Sequence, residues 1–146
     1  SASMPFVSRI SEISGKKYLD GGICDSIPLR AFQKMGYERC VVVQTRAAGY
    51  QKKTNKLGWL APLVYRKYPK FAAAIKNRHI MYNNELEQIE QAQKNGAAFV
   101  IRPSKNVKIH HMETDKKVLQ AVYDLGRGDA IKLLPKLKKF LKEAKK

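Results

Sequence analysis

Two kinds of apolar run organise this chain. Cys40-Val41-Val42-Val43-Gln44 and Ala97-Ala98-Phe99-Val100-Ile101 are unbroken. Continuous apolar runs of that length suit strands covered on both faces, as in a parallel sheet. Tyr18-Leu19 adds a shorter strand that ends in Asp20-Gly21-Gly22, where paired glycines permit positive φ and close backbone approach. Elsewhere the apolar residues recur at helical spacing. Pro28 to Met35 reads as a short helix with Pro28 in its first turn and Gly36 as its stop. Thr45 to Leu60 reads as a loop that is basic throughout. Helical signal returns from Pro62 to Ala74. A further helix is expected to start from a cap near Asn83 or Asn84, with Tyr82, Leu86, Ile89 and Gln93 on one face, Ala92 beside them, and Gly96 at the C′ position. Thr114 predicts another cap, before Val118, Leu119, Val122 and Leu125, with Gly126 as the stop. Asp129 predicts the cap of a last helix that carries Ile131, Leu134, Leu137 and Leu141 on one stripe, with lysines opposite and a kink at Pro135.

Strands alternating with helices imply a layered α/β fold with a mostly parallel sheet. The length of 146 residues and the 44% hydrophobic content suit a single domain, 1–146, with a core of its own. A transmembrane helix needs about 20 consecutive apolar residues. The most apolar patch, Leu57 to Tyr65, is far shorter and contains Gly58 and Pro62. The start, Ser1-Ala2-Ser3-Met4-Pro5, has neither the charged nor the apolar region of a signal peptide.

Charge changes the picture most. There are 29 Lys and Arg against 12 Asp and Glu, a net +17. Between Arg39 and Asn84 lie ten basic residues and no acidic one, and Lys132 to Lys146 holds seven lysines and one acid, Glu143. Such a surface attracts nucleic acid or lipid head groups, unless it is simply solvated or balanced by a missing acidic part. Two cysteines, Cys24 and Cys40, are too few for a disulfide framework or a zinc site. Both are expected reduced, with Cys40 a small buried hydrophobe, which agrees with a cytoplasmic location, peripheral to a membrane at most. No metal or cofactor is expected. His110 and His111 are adjacent, so a strand would point them apart. His79 lies in basic helical sequence, and Gly126-x-Gly128 follows no strand and so is no dinucleotide loop. Trp59 and Tyr65, set among basic residues 52 to 70, could stack on bases, but core or interface roles are the favoured reading.

The chemistry-bearing motif is Lys17-Tyr18-Leu19-Asp20-Gly21-Gly22-Ile23-Cys24-Asp25-Ser26-Ile27-Pro28-Leu29. It resembles the Asp-Gly-Gly/Ala block of patatin-like phospholipases and lipid acyl hydrolases. The upstream Ser1-Ala2-Ser3-Met4-Pro5-Phe6 is similar to that family's small-residue segment before a proline. The sequel, a short helix and then Arg39-Cys40-Val41-Val42-Val43, resembles it too. The match is closest over roughly the first 45 residues. The lysine-rich end resembles the bacterial branch less specifically. The resemblance implies a Ser–Asp dyad that cleaves lipid or other carboxylic esters, with Asp20 as the catalytic aspartate, Gly21 and Gly22 supporting it, and no cofactor. Asp25 reads as a turn or N-cap residue before the helix at Pro28.

The family's nucleophile elbow, Gly-x-Ser-x-Gly, does not occur in this sequence, and neither does a glycine-rich loop for an oxyanion hole. Both normally lie N-terminal to the aspartate block. The chain is therefore expected to be the C-terminal half of such a hydrolase, inactive alone, and to self-associate through the face that its missing half would cover. The competing expectation is a non-catalytic basic module that binds nucleic acid or anionic membrane. It accounts for the charge but not for the Asp-Gly-Gly block.

Overall fold

Ser14 and Gly15 both take positive φ, 50° and 72°, and fold the chain back on itself between two three-residue strands. That is the two-residue hairpin turn whose twist matches its strands. A computed structural model describes residues 3–110 and 113–143. The hairpin strands are β1 (Ser11–Ile13) and β2 (Lys16–Tyr18), paired antiparallel. Then follow α1 (Leu29–Lys34), β3 (Cys40–Val43), α2 (Ala61–Val64), α3 (Pro69–Lys94), β4 (Ala98–Ile101) and α4 (Lys116–Glu143). Short 3₁₀ turns occupy Gly21–Ile23 and Gly58–Leu60. The architecture is mixed α and β, and β3 and β4 form a two-stranded parallel sheet with Cys40 opposite Ala98 and Val43 opposite Ile101.

The residues group into two compact units. One comprises 1–28 and 52–86, the other 29–51 and 87–146. The core of the first gathers Ile23, Ala61, Tyr65, Ala72 and Ile75, with Phe6, Leu19 and Phe71 packed against it. Tyr65 lies edge-on to both Phe6 and Phe71, at 5.5 and 5.1 Å between ring centroids, the geometry aromatic quadrupoles favour. Its hydroxyl accepts the Phe6 N–H at 2.9 Å and holds that residue at φ 66°, an uncommon value for a side chain of that bulk.

In the second unit Leu29, Val42, Ile89, Ala92, Ala98 and Val100 are buried. Phe140 of α4 packs on Phe99 of β4, and the Arg39 guanidinium stacks 3.9 Å above the Phe140 ring while pairing with Glu143 at 3.7 Å. The last turn of α3 closes as a Schellman motif. The Gly96 N–H donates to Gln93 O, the Ala97 N–H donates to Ala92 O, and Gly96 sits at φ 73°.

Several expectations need correction. The valine strand is covered on one face only: Val42 is buried, whereas Val43 is 69% exposed. Asn83 and Asn84 cap nothing, because α3 runs unbroken through them. The expected pair of C-terminal helices is one helix, α4, which passes through Gly126, Gly128 and Pro135. A helical glycine costs about 1 kcal/mol relative to alanine, little enough for tertiary packing to override. The cap of α4 is Asp115, whose Oδ1 accepts the Lys117 N–H at 2.8 Å, and not Thr114. Asp129 is buried in mid-helix and accepts the Ser104 N–H at 2.7 Å. Cys40 is only partly buried, and both thiols are free.

Candidate functional site

The Asp20 loop lies where β2 hands over to the 3₁₀ turn. Asp20 has φ −57° and ψ 122°, and its Oδ1 accepts the Gly22 N–H at 2.8 Å, so the carboxylate caps the turn that follows it. Its own N–H donates to Ser3 O at 3.0 Å, which joins the Ser3-Met4-Pro5 segment to the Asp-Gly-Gly block. A β-carbon on Gly22 would stand 3.1 Å from that Oδ1, whereas one on Gly21 would meet nothing within 4 Å. The second glycine is thus the one the carboxylate requires. No donor reaches Asp20 Oδ2 among the described residues.

Helix α3 clamps this loop through side chains that the sequence reading missed. Arg78 Nε donates to Gly22 O at 2.8 Å, and Ser26 Oγ donates to the same oxygen at 2.6 Å. Two turns further on, Glu85 accepts the Ser26 and Ile27 N–H groups, one on each carboxylate oxygen and both at 3.1 Å. Arg78 and Glu85 are seven residues apart, so they fall on one stripe of the helix. That polar i, i+7 pair was the available signal, although nothing in the sequence says which loop it meets. Asn83 grips a third segment: its Oδ1 accepts the Lys52 N–H at 2.8 Å and its Nδ2 donates to Lys52 O at 3.1 Å. Asn83, read as a candidate helix cap, is instead a two-pronged backbone clamp.

Burial pushes the Glu85 carboxyl above the usual range, opposed by the Ser26 N–H and reinforced by the nearby Asp25 carboxylate. Asp25 follows the 3₁₀ turn and is exposed. The Ser104 N–H holds Asp129 below the usual range.

Other candidates do not gather at this loop. His79 follows Arg78 in α3, and its Nδ1 is buried without a partner among the described residues. His110 is exposed, and His111 lies outside the described residues. Gly126 and Gly128 are inside α4. Tyr65 is core, as favoured, but Trp59 is exposed. Among the described residues no cluster of His, Cys, Asp or Glu could hold a metal ion, and no helix is long and apolar enough to cross a membrane.

Fold and site together define a mixed α/β protein in which one long helix fastens a carboxylate-bearing turn. Residues 68–142, which span α3, β4 and α4, match the family described as a domain of unknown function, DUF6363. The match covers just over half of the chain, and the protein belongs to that family. Among curated proteins no match is found.

Proposed function

We propose that this chain is the aspartate-bearing part of a patatin-like serine hydrolase, which cleaves lipid or other carboxylic esters through a Ser–Asp dyad. The observation that carries the reading is the Asp20 carboxylate. It follows a strand end, with Oδ1 fixed by the Gly22 N–H and no donor on Oδ2 among the described residues. A serine hydroxyl that approaches Oδ2 would give up its proton there as its oxygen attacks the ester carbonyl. The proton would then pass to the departing alcohol, and a water activated in the same way would release the acyl group. Gly21 and Gly22 present little bulk beside the carboxylate, and Arg78, Ser26 and Glu85 keep the loop in place. The chain supplies the base and not the nucleophile, since no Gly-x-Ser-x-Gly occurs in its sequence.

The layered parallel sheet belongs to the same reading. β3 and β4 are a parallel pair, a pairing found mostly inside larger sheets with both faces covered, and Val41 and Val43 are exposed on one of them. Further strands and helices of a complete hydrolase would cover that face. Its exposed valine part, beyond the point where Phe140 of α4 covers Phe99, favours self-association of the chain.

The test is turnover of a p-nitrophenyl ester. The chain alone should show none. In a protein that carries both this chain and a nucleophile elbow, Asp20→Asn should lower kcat by roughly 10²- to 10⁴-fold. An unchanged kcat would remove Asp20 from the mechanism. A strictly monomeric chain in light scattering at high concentration would speak against a bare sheet face.

A further inference from the structure

We propose that the segment Leu57–Lys67 is a docking knuckle for an anionic lipid surface. Its apolar pattern is inverted relative to a segment that packs on a core with only one face. Gly58, Ala61 and Tyr65 point inward and are buried. Leu57, Trp59, Leu63 and Val64 point outward, with Trp59 and Leu63 both 68% exposed and one helical turn apart. Four large exposed apolar side chains thus lie within eight residues, and a concentration of exposed apolar surface marks an interaction site.

Charge selects the occupant. Lys53, Lys56, Arg66 and Lys67 are exposed on either side of the apolar residues, and the sequence from Arg39 to Asn84 contains no acid. An anionic bilayer offers what this pattern needs: a negative head-group plane for the cations and an apolar layer beneath it. Tryptophan prefers that boundary, where its ring is half-wet, and lysine stems can lie along it while their ammonium groups stay in water. A second knuckle fits poorly against the first, because it would set Lys53, Lys56, Arg66 and Lys67 against the same four cations with no acid between them. Nucleic acid would use the cations and Trp59, but it has no use for Leu57, Leu63 and Val64. The docking surface is this knuckle alone. The proposal concerns binding and stands whether or not Asp20 is catalytic.

Trp59 is the only tryptophan in the chain, so its emission reports the knuckle directly. Mixing the chain with vesicles of phosphatidylcholine containing phosphatidylglycerol should shift Trp59 emission to the blue. Acyl chains brominated near the head group should quench it, and pure phosphatidylcholine should do neither. Lys56→Gln with Lys67→Gln should lower the partition coefficient roughly 10- to 30-fold, since each cation near the surface is worth about fivefold. Leu63→Gln, read by the same emission, should lower it about tenfold, as expected when a leucine no longer enters the apolar layer. Both sites are exposed, so unchanged circular dichroism should confirm that the variants fold. Three results would overturn the proposal: no spectral change with anionic vesicles, a shift with DNA but not with vesicles, or a blue shift on concentrating the lipid-free chain. A Leu63→Gln variant that binds as well as the parent would overturn it too.

Discussion

At Gly22 a single hydrogen atom decides the position of a carboxylate. Alanine there would bring its β-carbon to 3.1 Å from Asp20 Oδ1, closer than real β-carbon contacts usually run. Either the carboxylate or the turn must shift, and the Gly22 N–H bond weakens. We expect Gly22→Ala to destabilise by about 1 kcal/mol, the scale of one hydrogen bond, while Gly21→Ala stays near neutral. Urea titrations of the two variants compare them directly, and equal midpoints would show that the close approach does not matter. Arg78 acts on the same turn from the other side. Arg78→Met keeps the stem and removes the donor to Gly22 O, for a loss of about 1 kcal/mol, moderated because Ser26 Oγ still reaches that oxygen. The glycine pair was legible in the sequence as a sharp turn directly after an aspartate. Arg78 and Glu85 were not, because they stand 56 to 59 residues from the groups they hold.

Among the elements, helix ends separate what is local from what is not. Gly96 was readable because a left-handed C′ residue is a local requirement, and its φ of 73° meets it. Gly96→Ala should therefore cost about 1 to 2 kcal/mol, seen as a lower urea midpoint with an unchanged slope. Asn83 and Asp129 carry the same kind of signal as true caps, a short polar side chain able to accept a backbone N–H. In the structure the N–H groups they accept belong to Lys52 and Ser104, on other segments. A polar residue placed to capture a distant backbone is indistinguishable from a cap until the segments meet. Strand β3 shows the same limit. Its valine run specified a strand, but whether one face or two is covered depends on what else packs there.

For the whole molecule, charge and protonation set the response to solvent. With +17 in one chain, self-repulsion should make the melting temperature rise with added salt, most steeply below about 0.1 M, where the screening length exceeds about 10 Å. The two shifted carboxyls act in opposite directions. Glu85 titrates above its unfolded value near 4.3, so its contribution is fully present below that pH and is lost as pH rises through the raised folded value. Asp129 titrates below its unfolded value near 3.9, so its contribution is present above that pH and is lost as pH falls through the lowered folded value. Melting curves between pH 2 and 7 should show Glu85→Gln flattening the upper part of the profile and Asp129→Asn the lower. Identical profiles for parent and variants would remove both assignments.

By itself the sequence determined what depends on neighbours in the chain: the strand runs at residues 40 and 98, the helix stop at Gly96, the turn at Asp20 and the excess of positive charge. Backbone conformation, periodicity and net charge are properties of short windows or of composition, so they survive without a fold. Only the tertiary structure decided that α3 reaches the Asp20 loop, that Asn83 and Asp129 hold other segments, that α4 is one helix, and that Trp59 and Leu63 face solvent. Each of these depends on which surfaces meet. A side chain's partner or exposure follows from long-range packing, and the same residue pattern is compatible with either outcome.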